Sequence, residues 1–293
     1  MTSFSFPTRD ENGHKGTFGS VCVIGGQRSE DGAVMLGAPA LAANAAMRSG
    51  CGKVMLAMPQ PLLQTGLSMA PTATGIELPV DEVGRLIPSA AIEAIDTHAA
   101  SCRCLVIGPG FGCDWPQQQI LATLLSRENR PIILDADGLN SFAQLESGQL
   151  ELKAPTIMTP HVGEFTRLAN ATGVSGNSVE ALAQALGCVV VLKSSTTHIS
   201  NGVETIQDDS GSVVLATGGS GDVLSGIIAG LLSQFGVHCV EHLLQAAVLG
   251  VRVHALSGEL FASEFGNSGM LATDLLDRIP KAISTLKKVS VTR

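Results

Sequence analysis

Apolar residues arrive in short bursts along this chain: VCVIGG (21–26), KVMLAMP (53–59), CLVIGPG (104–110), PIILDADG (131–138), TIMTPH (156–161) and CVVVLKS (188–194). Each run is short and bounded by Gly, Pro or a polar residue, as a strand buried on both faces is. Residues 33–49, 117–127, 162–168 and 178–186 fill the intervals with helix-like composition. Strand and helix in alternation predict a mostly parallel sheet covered on both faces. Past Lys193 the texture changes. THIS (197–200), VETI (203–206) and SVVLAT (212–217) are short β segments split by Asn201-Gly202 and by Asp208-Asp209-Ser210-Gly211. Those are hairpin turn sequences, so antiparallel strands are expected at one sheet edge. From Asp222 to Thr285 the pattern is helical, with Gly236 and Pro280 as breaks. In 60–103 only a helix over 89–97 stands out. With no repeat, low-complexity tract or Pro/Ser-rich linker, 1–293 reads as one domain.

Composition narrows the class. Of 293 residues, 45% are hydrophobic and only 15% charged, which excludes disorder and coiled coil. Mean hydropathy is +0.30, but every apolar run is broken well before the ~20 residues a spanning helix needs. The first twenty residues lack the cationic start and apolar centre of a secretory signal, so a cytoplasmic protein without a membrane partner is expected. The cysteines (Cys22, Cys51, Cys102, Cys104, Cys113, Cys188 and Cys239) are odd in number and mostly within apolar stretches. They read as reduced thiols, and Cys102 and Cys104 lack the spacing of a zinc site. Lys and Arg number 18 against 26 Asp and Glu, a net charge of -8. A nucleic-acid partner, which needs a basic face, is not expected. A phosphorylated ligand must then be held largely by backbone amides.

In an open parallel sheet, ligands bind beyond the carboxyl ends of the strands, so the residues that close each apolar run carry the chemistry. The first of these is a set of glycines, Gly108, Gly110 and Gly112, which either permit a ligand's close approach or make tight turns. Asp135, Asp137 and Asn140 follow the next run and organise either a loop or an ion, the loop being favoured. His161 falls at a strand-to-helix turn, placed to donate to or stack on a ligand; Glu164 lies in the helix's first turn, where an acid is favoured by the dipole in any case. Lys193 ends the VVVLK strand, as a phosphate contact or an ordinary surface lysine.

The strongest signal is ATGGSGDVLSGIIAGLL (216–232), a glycine-dense loop feeding a helix. Amides at a helix N-terminus form an anion site, here Gly218, Gly219, Ser220 and Gly221, suited to a phosphoryl group. Asp222 stands at the same helix start, where it either caps the helix or takes the proton of a hydroxyl attacking phosphorus. There is no GxxxxGK[ST] loop, no HRD…DFG set and no GxGxxG after the first strand.

These motifs resemble the ribokinase-like superfamily and, within it, the NAD(P)H-hydrate dehydratase family. HKGTFGSVCVIGG, GAVML, MRSGCGKVMLAMP, VIGPGFG, ILDADGLN, TPHVGEF, VVLKSSTT, LATGGSGDVLSGIIAGLLSQ and ATDLLDRIP carry the resemblance nearly end to end. The likeness implies a three-layer α/β/α fold with a few antiparallel edge strands. It implies that Ala33, Gly110, His161 and Asp222 contact a hydrated dinucleotide, the S-form of NADHX or NADPHX. Lys193, Ser194, Ser195, Thr196, Thr197 and Gly221 would contact ADP or ATP, with the balance toward ADP, and Glu164 would sit near Mg²⁺ through water. Asp222 would be the catalytic base: the ring hydroxyl is phosphorylated, and loss of phosphate restores NADH or NADPH.

The family usually reads Lys-Gly where this chain has Lys193-Ser194, which adds a side chain where the backbone approaches the nucleotide. No fused epimerase domain is expected before His14, so a separate epimerase would act in the same pathway; a homotetramer is implied on family grounds. Two other classes stay open. A vitamin-precursor kinase of the same fold would make a stable phosphorylated product, and a non-catalytic nucleotide-binding protein would lack Asp222 or its glycine loop.

Overall fold

The computed structural model describes residues 4–145, 152–174, 178–235 and 240–291. The chain opens with β1 (Ser20–Ile24), a small hairpin of β2 (Gln27–Arg28) and β3 (Val34–Met35), and α1 (Gly37–Arg48). It continues through β4 (Lys53–Pro59), α2 (Gln60–Met69), β5 (Thr74–Leu78), α3 (Pro88–His98), β6 (Cys104–Ile107) and α4 (Trp115–Arg127). The middle holds β7 (Ile132–Leu134), α5 (Asp137–Gln144), β8 (Thr156–Met158), α6 (Val162–Thr172), α7 (Val179–Leu186) and β9 (Val189–Leu192). The antiparallel pair β10 (Thr197–Ser200) and β11 (Thr205–Asp208) follows, then α8 (Ser220–Leu232), α9 (Val240–Phe265) and α10 (Ala272–Val291).

Nine strands form one sheet in the order β11-β10-β9-β8-β7-β6-β1-β4-β5. From β9 to β5 every neighbour is parallel, while β10 runs antiparallel to both β9 and β11. Strand alternation sends successive side chains to opposite faces. Val21, Val23, Leu56 and Val106 join the core beneath α1, α8, α9 and α10, whereas Cys22, Ile24, Leu105 and Ile107 join the core beneath α3 to α7. This is the α/β fold with helices on both faces and an antiparallel edge. The strand order reverses between β1 and β6, where the two loops touch: Gly26 N–H donates to Pro109 O at 3.1 Å, and a Cβ on Gly25 would stand 2.2 Å from that oxygen.

Four local expectations are corrected. The helix expected from residue 33 begins at Gly37, because Val34–Met35 pairs with Gln27–Arg28 instead. SVVLAT is no strand but a 3-10 turn at Val213–Leu215; Val213 is exposed and only Val214 is buried, so the run has no face to pair. Pro280 does not end its helix: it lies exposed within α10 while Leu275, Ile279 and Ala282 bury the opposite face. The strand expected from Val203 begins at Thr205. Gly236 lies outside the described residues. Among those described, Cys22, Cys51, Cys102, Cys104, Cys113 and Cys188 are free thiols, and no helix is long and apolar enough to cross a membrane.

Candidate active site

Three strand ends set the floor of the site. β7 runs out into Asp135, Ala136 and Asp137; β8 into Thr159, Pro160 and His161; β9 into Lys193. The segments stay in register past the sheet, with Thr159 N–H on Leu134 O at 3.1 Å and Lys193 N–H on Pro160 O at 2.8 Å. Between the two aspartates Ala136 has φ 48°, the one non-glycine residue among those described with positive φ. A side chain rarely adopts that backbone, and the carboxylates on either side of it find different partners. Asp135 is 1% exposed and accepts from Lys193 Nζ at 2.9 Å. Asp137 accepts from Gly112 N–H at 2.9 Å, tying the β6 loop to the start of α5.

Lys193 is the hub. Burial works against its ammonium, but the carboxylates of Asp135 and Glu164 outweigh that and hold its pKa above the ordinary value. A Cβ on Gly221 would stand 3.1 Å from Nζ, so the lysine lies directly against the glycine loop. Asp222, next in sequence, is pushed up to about 7, first by burial and then by Asp135, with Lys193 opposing. Burial also raises Glu164, again with Lys193 opposing. Three carboxylates, Asp135, Glu164 and Asp222, thus act on one lysine, and Asp137 adds a fourth negative charge near Asp222.

The loop before α8 presents amides rather than side chains. Its first helical bond is Val223 N–H to Gly219 O at 3.1 Å, which leaves the Gly221 and Asp222 N–H groups ahead of the ladder. Gly219 has φ 89°, and no side chain caps the helix, so Asp222 is not its cap. The helix is held in place by a glycine seam: a Cβ on Gly226 would stand 2.2 Å from Ala42 O, and one on Gly230 2.5 Å from Ala46 O. From below, His254 Nε2 lies 3.0 Å from Ser220 O and 2.9 Å from Ser220 Oγ. A carbonyl only accepts, so Nε2 carries the proton, and burial drives the pKa down to about 4, keeping the ring neutral.

His161 is built into the start of α6. Its Nδ1 accepts from Gly163 N–H at 3.0 Å and Glu164 N–H at 3.4 Å, while Glu164 Oε2 accepts from His161 N–H at 2.8 Å. This reciprocal cap fixes the tautomer with the proton on Nε2, 3.5 Å from Glu164 Oε1. Gly110 lies under the small hairpin, where a Cβ would stand 3.0 Å from Met35 Cβ. Ala33 is on the exposed turn of that hairpin, its carbonyl accepting from Ser29 N–H at 2.8 Å.

The fold therefore gathers Asp222, Gly221, Lys193, Glu164 and His161 at one place and lays the hairpin that carries Ala33 against Gly110 in the loop after β6. Ser194 to Thr197 lead from Lys193 into β10; Ser194 Oγ donates to Thr196 O, and its backbone is outside the left-handed region, so serine fits there. Asp135 and Asp137 are more than the loop organisers they appear in sequence, since both act on Asp222. His254 stands in no motif, and nothing in ILDADGLN marks the positive φ of Ala136.

A family model described as NAD(P)H-hydrate dehydratase (Carb_kinase) matches residues 21–281. The ADP-dependent (S)-NAD(P)H-hydrate dehydratase of Neisseria meningitidis serogroup B is 35% identical over 280 residues, 92% of this chain and 86% of that protein. The bifunctional NAD(P)H-hydrate repair enzyme of Salinibacter ruber is 32% identical over 281 residues, 94% of this chain but only 50% of that enzyme. The chain thus spans about half the length of several curated relatives it matches. Among solved structures, the ADP/ATP-dependent NAD(P)H-hydrate dehydratase of Bacillus subtilis, co-crystallised with ATP and Mg²⁺, superposes with TM-score 0.75 at 29% identity, covering 95% of this chain and 94% of the other. A ribokinase-like superfamily protein from Enterococcus faecalis gives TM-score 0.76 at 27% identity, covering 96% and 92%.

Proposed function

This chain belongs to the NAD(P)H-hydrate dehydratase family, and on that footing we propose that it returns the S-form of hydrated NADH and NADPH to the reduced cofactors, with ADP or ATP as phosphoryl donor. The observation that carries the reading is the half-buried Asp222, held near pKa 7 beside Lys193 and the amides of the α8 loop. A carboxylate with that pKa is ionised about half the time at neutral pH and accepts a proton readily. In this reading Asp222 takes the proton of the ring hydroxyl while its oxygen attacks the terminal phosphorus of the donor. The N–H groups of Gly218, Gly219 and Gly221 receive the phosphoryl charge, whereas the Ser220 N–H expected among them is already bonded to Thr217 O at 3.3 Å. The ring nitrogen's electron pair then expels phosphate, the C–O bond breaks, a proton leaves the neighbouring carbon, and the double bond is restored.

Lys193, Ser194, Ser195, Thr196, Thr197 and Gly221 serve the adenine nucleotide; Ala33, Gly110 and His161 orient the hydrate. Among the described residues no group of three His, Cys, Asp or Glu side chains could hold a metal directly. The surplus of carboxylates over lysine nonetheless fits Mg²⁺ carried in on phosphates and water, with Glu164 accepting from that water. When bound, Mg²⁺ supplies charge neutralisation of the donor phosphates. The free thiols among the described residues suit a reducing compartment such as the cytoplasm; the homotetramer and the supply of S-hydrate by a separate epimerase are proposed on the family resemblance alone.

The test is to incubate the purified protein with prepared NADHX and NADPHX, Mg²⁺ and either ADP or ATP, following recovery of reduced-nicotinamide absorbance and free phosphate. Recovery that requires one nucleotide and releases phosphate is the expected outcome. No recovery with either donor defeats the reading, and a stable phosphorylated product would point to a small-molecule kinase instead. Light scattering at four times the chain mass, and recovery of only half of an epimeric mixture, test the assembly and the need for epimerisation.

A further inference from the structure

We propose that Arg167, steadied by Asn140, binds a phosphate of the dinucleotide's outer arm in the open cleft between α5 and α6. The inference rests on the hydrate-repair reading for its ligand. The cleft encloses about 660 Å³ and is lined by Cys113, Asn140, Gln144, Arg167 and Asn170 among others. It continues outward from the site. Asn140 belongs to α5, which begins at Asp137, and Arg167 lies one turn beyond Glu164 on α6.

The side chain runs back toward the helix start: Arg167 Nη1 is 3.7 Å from where a Cβ on Gly163 would sit, and that point is 2.9 Å from His161 Cε1. The guanidinium and the imidazole are thus side by side on one rim. Arg167 Nε donates to Asn140 Oδ1 at 3.0 Å. That bond fixes the plane of the fork, and neither terminal nitrogen has a hydrogen-bond partner among the described residues. Arg127 and Arg130, by contrast, are each tied to a carboxylate, Asp96 and Glu128.

Charge supplies the reason for a cation here. The floor of the site holds four carboxylates against one lysine, and that lysine is already bonded to Asp135. A dinucleotide whose hydrated ring reaches Asp222 must lay its pyrophosphate, and in the phosphorylated form its 2′-phosphate, outside that floor. Arginine binds a phosphate through two parallel N–H donors, in a geometry a lysine cannot copy.

Wild type, Arg167→Ala and Arg167→Lys are to be compared for KM and kcat on NADHX and NADPHX, with NADH and NADPH binding measured by calorimetry alongside. Arg167→Ala is expected to raise KM for the hydrate about 10- to 100-fold, with kcat and the nucleotide KM within about two-fold, and Arg167→Lys to recover only part. A loss on both hydrates places the pyrophosphate at Arg167; a loss on NADPHX alone places the 2′-phosphate there. Unchanged KM and unchanged cofactor affinity in Arg167→Ala overturn the proposal. Absent turnover in wild type would defeat the hydrate-repair reading instead, and the calorimetric contrast would still decide Arg167.

Discussion

Asp222 shows how much a single position can carry. Its carboxyl titrates near 7 because burial and the neighbouring Asp135 both penalise its charge. Turnover at limiting hydrate should therefore climb as pH rises through about 7 and level off above it, which a pH profile of kcat/KM reads directly. Asp222→Asn should lower kcat about 10²- to 10⁴-fold while sparing both binding constants. Stability runs the other way. The folded state keeps this proton up to about pH 7 whereas the unfolded chain releases it near 3.8, so the wild type loses stability as pH rises between them. Asp222→Asn should accordingly melt above wild type at pH 8, with the gap closing toward pH 4. Lys193 makes the complementary case. Lys193→Met strands the buried Asp135 carboxylate and should cost about 3–5 kcal/mol in urea unfolding at neutral pH. Adding Asp135→Asn should restore most of that stability and none of the nucleotide affinity. The glycine loop, Asp222 and His161 were legible because each stands in a short motif read locally. His254 and Arg167 were not, since their meaning comes from Ser220 and Asn140, more than twenty residues away.

At the level of elements, the glycines of α8 matter as much inside the helix as before it. Gly226 and Gly230 let α8 lie against Ala42, Ala45 and Ala46 of α1 with no side chain between. Gly226→Val forces the helices apart and should cost at least about 1–3 kcal/mol, read from the urea midpoint, and it should lower kcat because the helix start shifts with its seam. Ala136→Gly has the opposite sign: relieving a positive φ should gain on the order of 1 kcal/mol. The buried strands were readable because a strand covered on both faces is apolar throughout, as in VCVI and VVVL. β5 was missed for the converse reason: TGIEL sits at the sheet edge and buries only Ile76 and Leu78. α2 hid behind Pro61 and Gly66, although Pro is at home in a first turn, and α5 hid within a loop-like DGLNS. SVVLAT shows that β-branched composition without an alternating buried face does not make a strand.

In the whole molecule, the sheet divides two cores, and the site lies where both meet. α8 belongs to one layer, α5 and α6 to the other, and Lys193 and Asp135 rise from the strands between. A ligand that touches all three should brace the entire fold. ADP with Mg²⁺ at about 100 times its Kd should add about 2.7 kcal/mol and raise Tm by about 4–8 °C in calorimetry, an increment that Lys193→Met should largely lose. The glycine loop has one more consequence, for the way the protein meets its solvent. An anchorage of backbone amides around a lysine bonded to the buried Asp135 is half-buried, and dissolved ions screen charges held there far less than exposed ones. An exposed arginine on the outer rim is open to them, within a Debye length that shrinks to about 8 Å at physiological ionic strength. Added salt should then loosen the grip on the dinucleotide while leaving the donor's affinity nearly as it was, so the two ends of one site would answer the same ions differently.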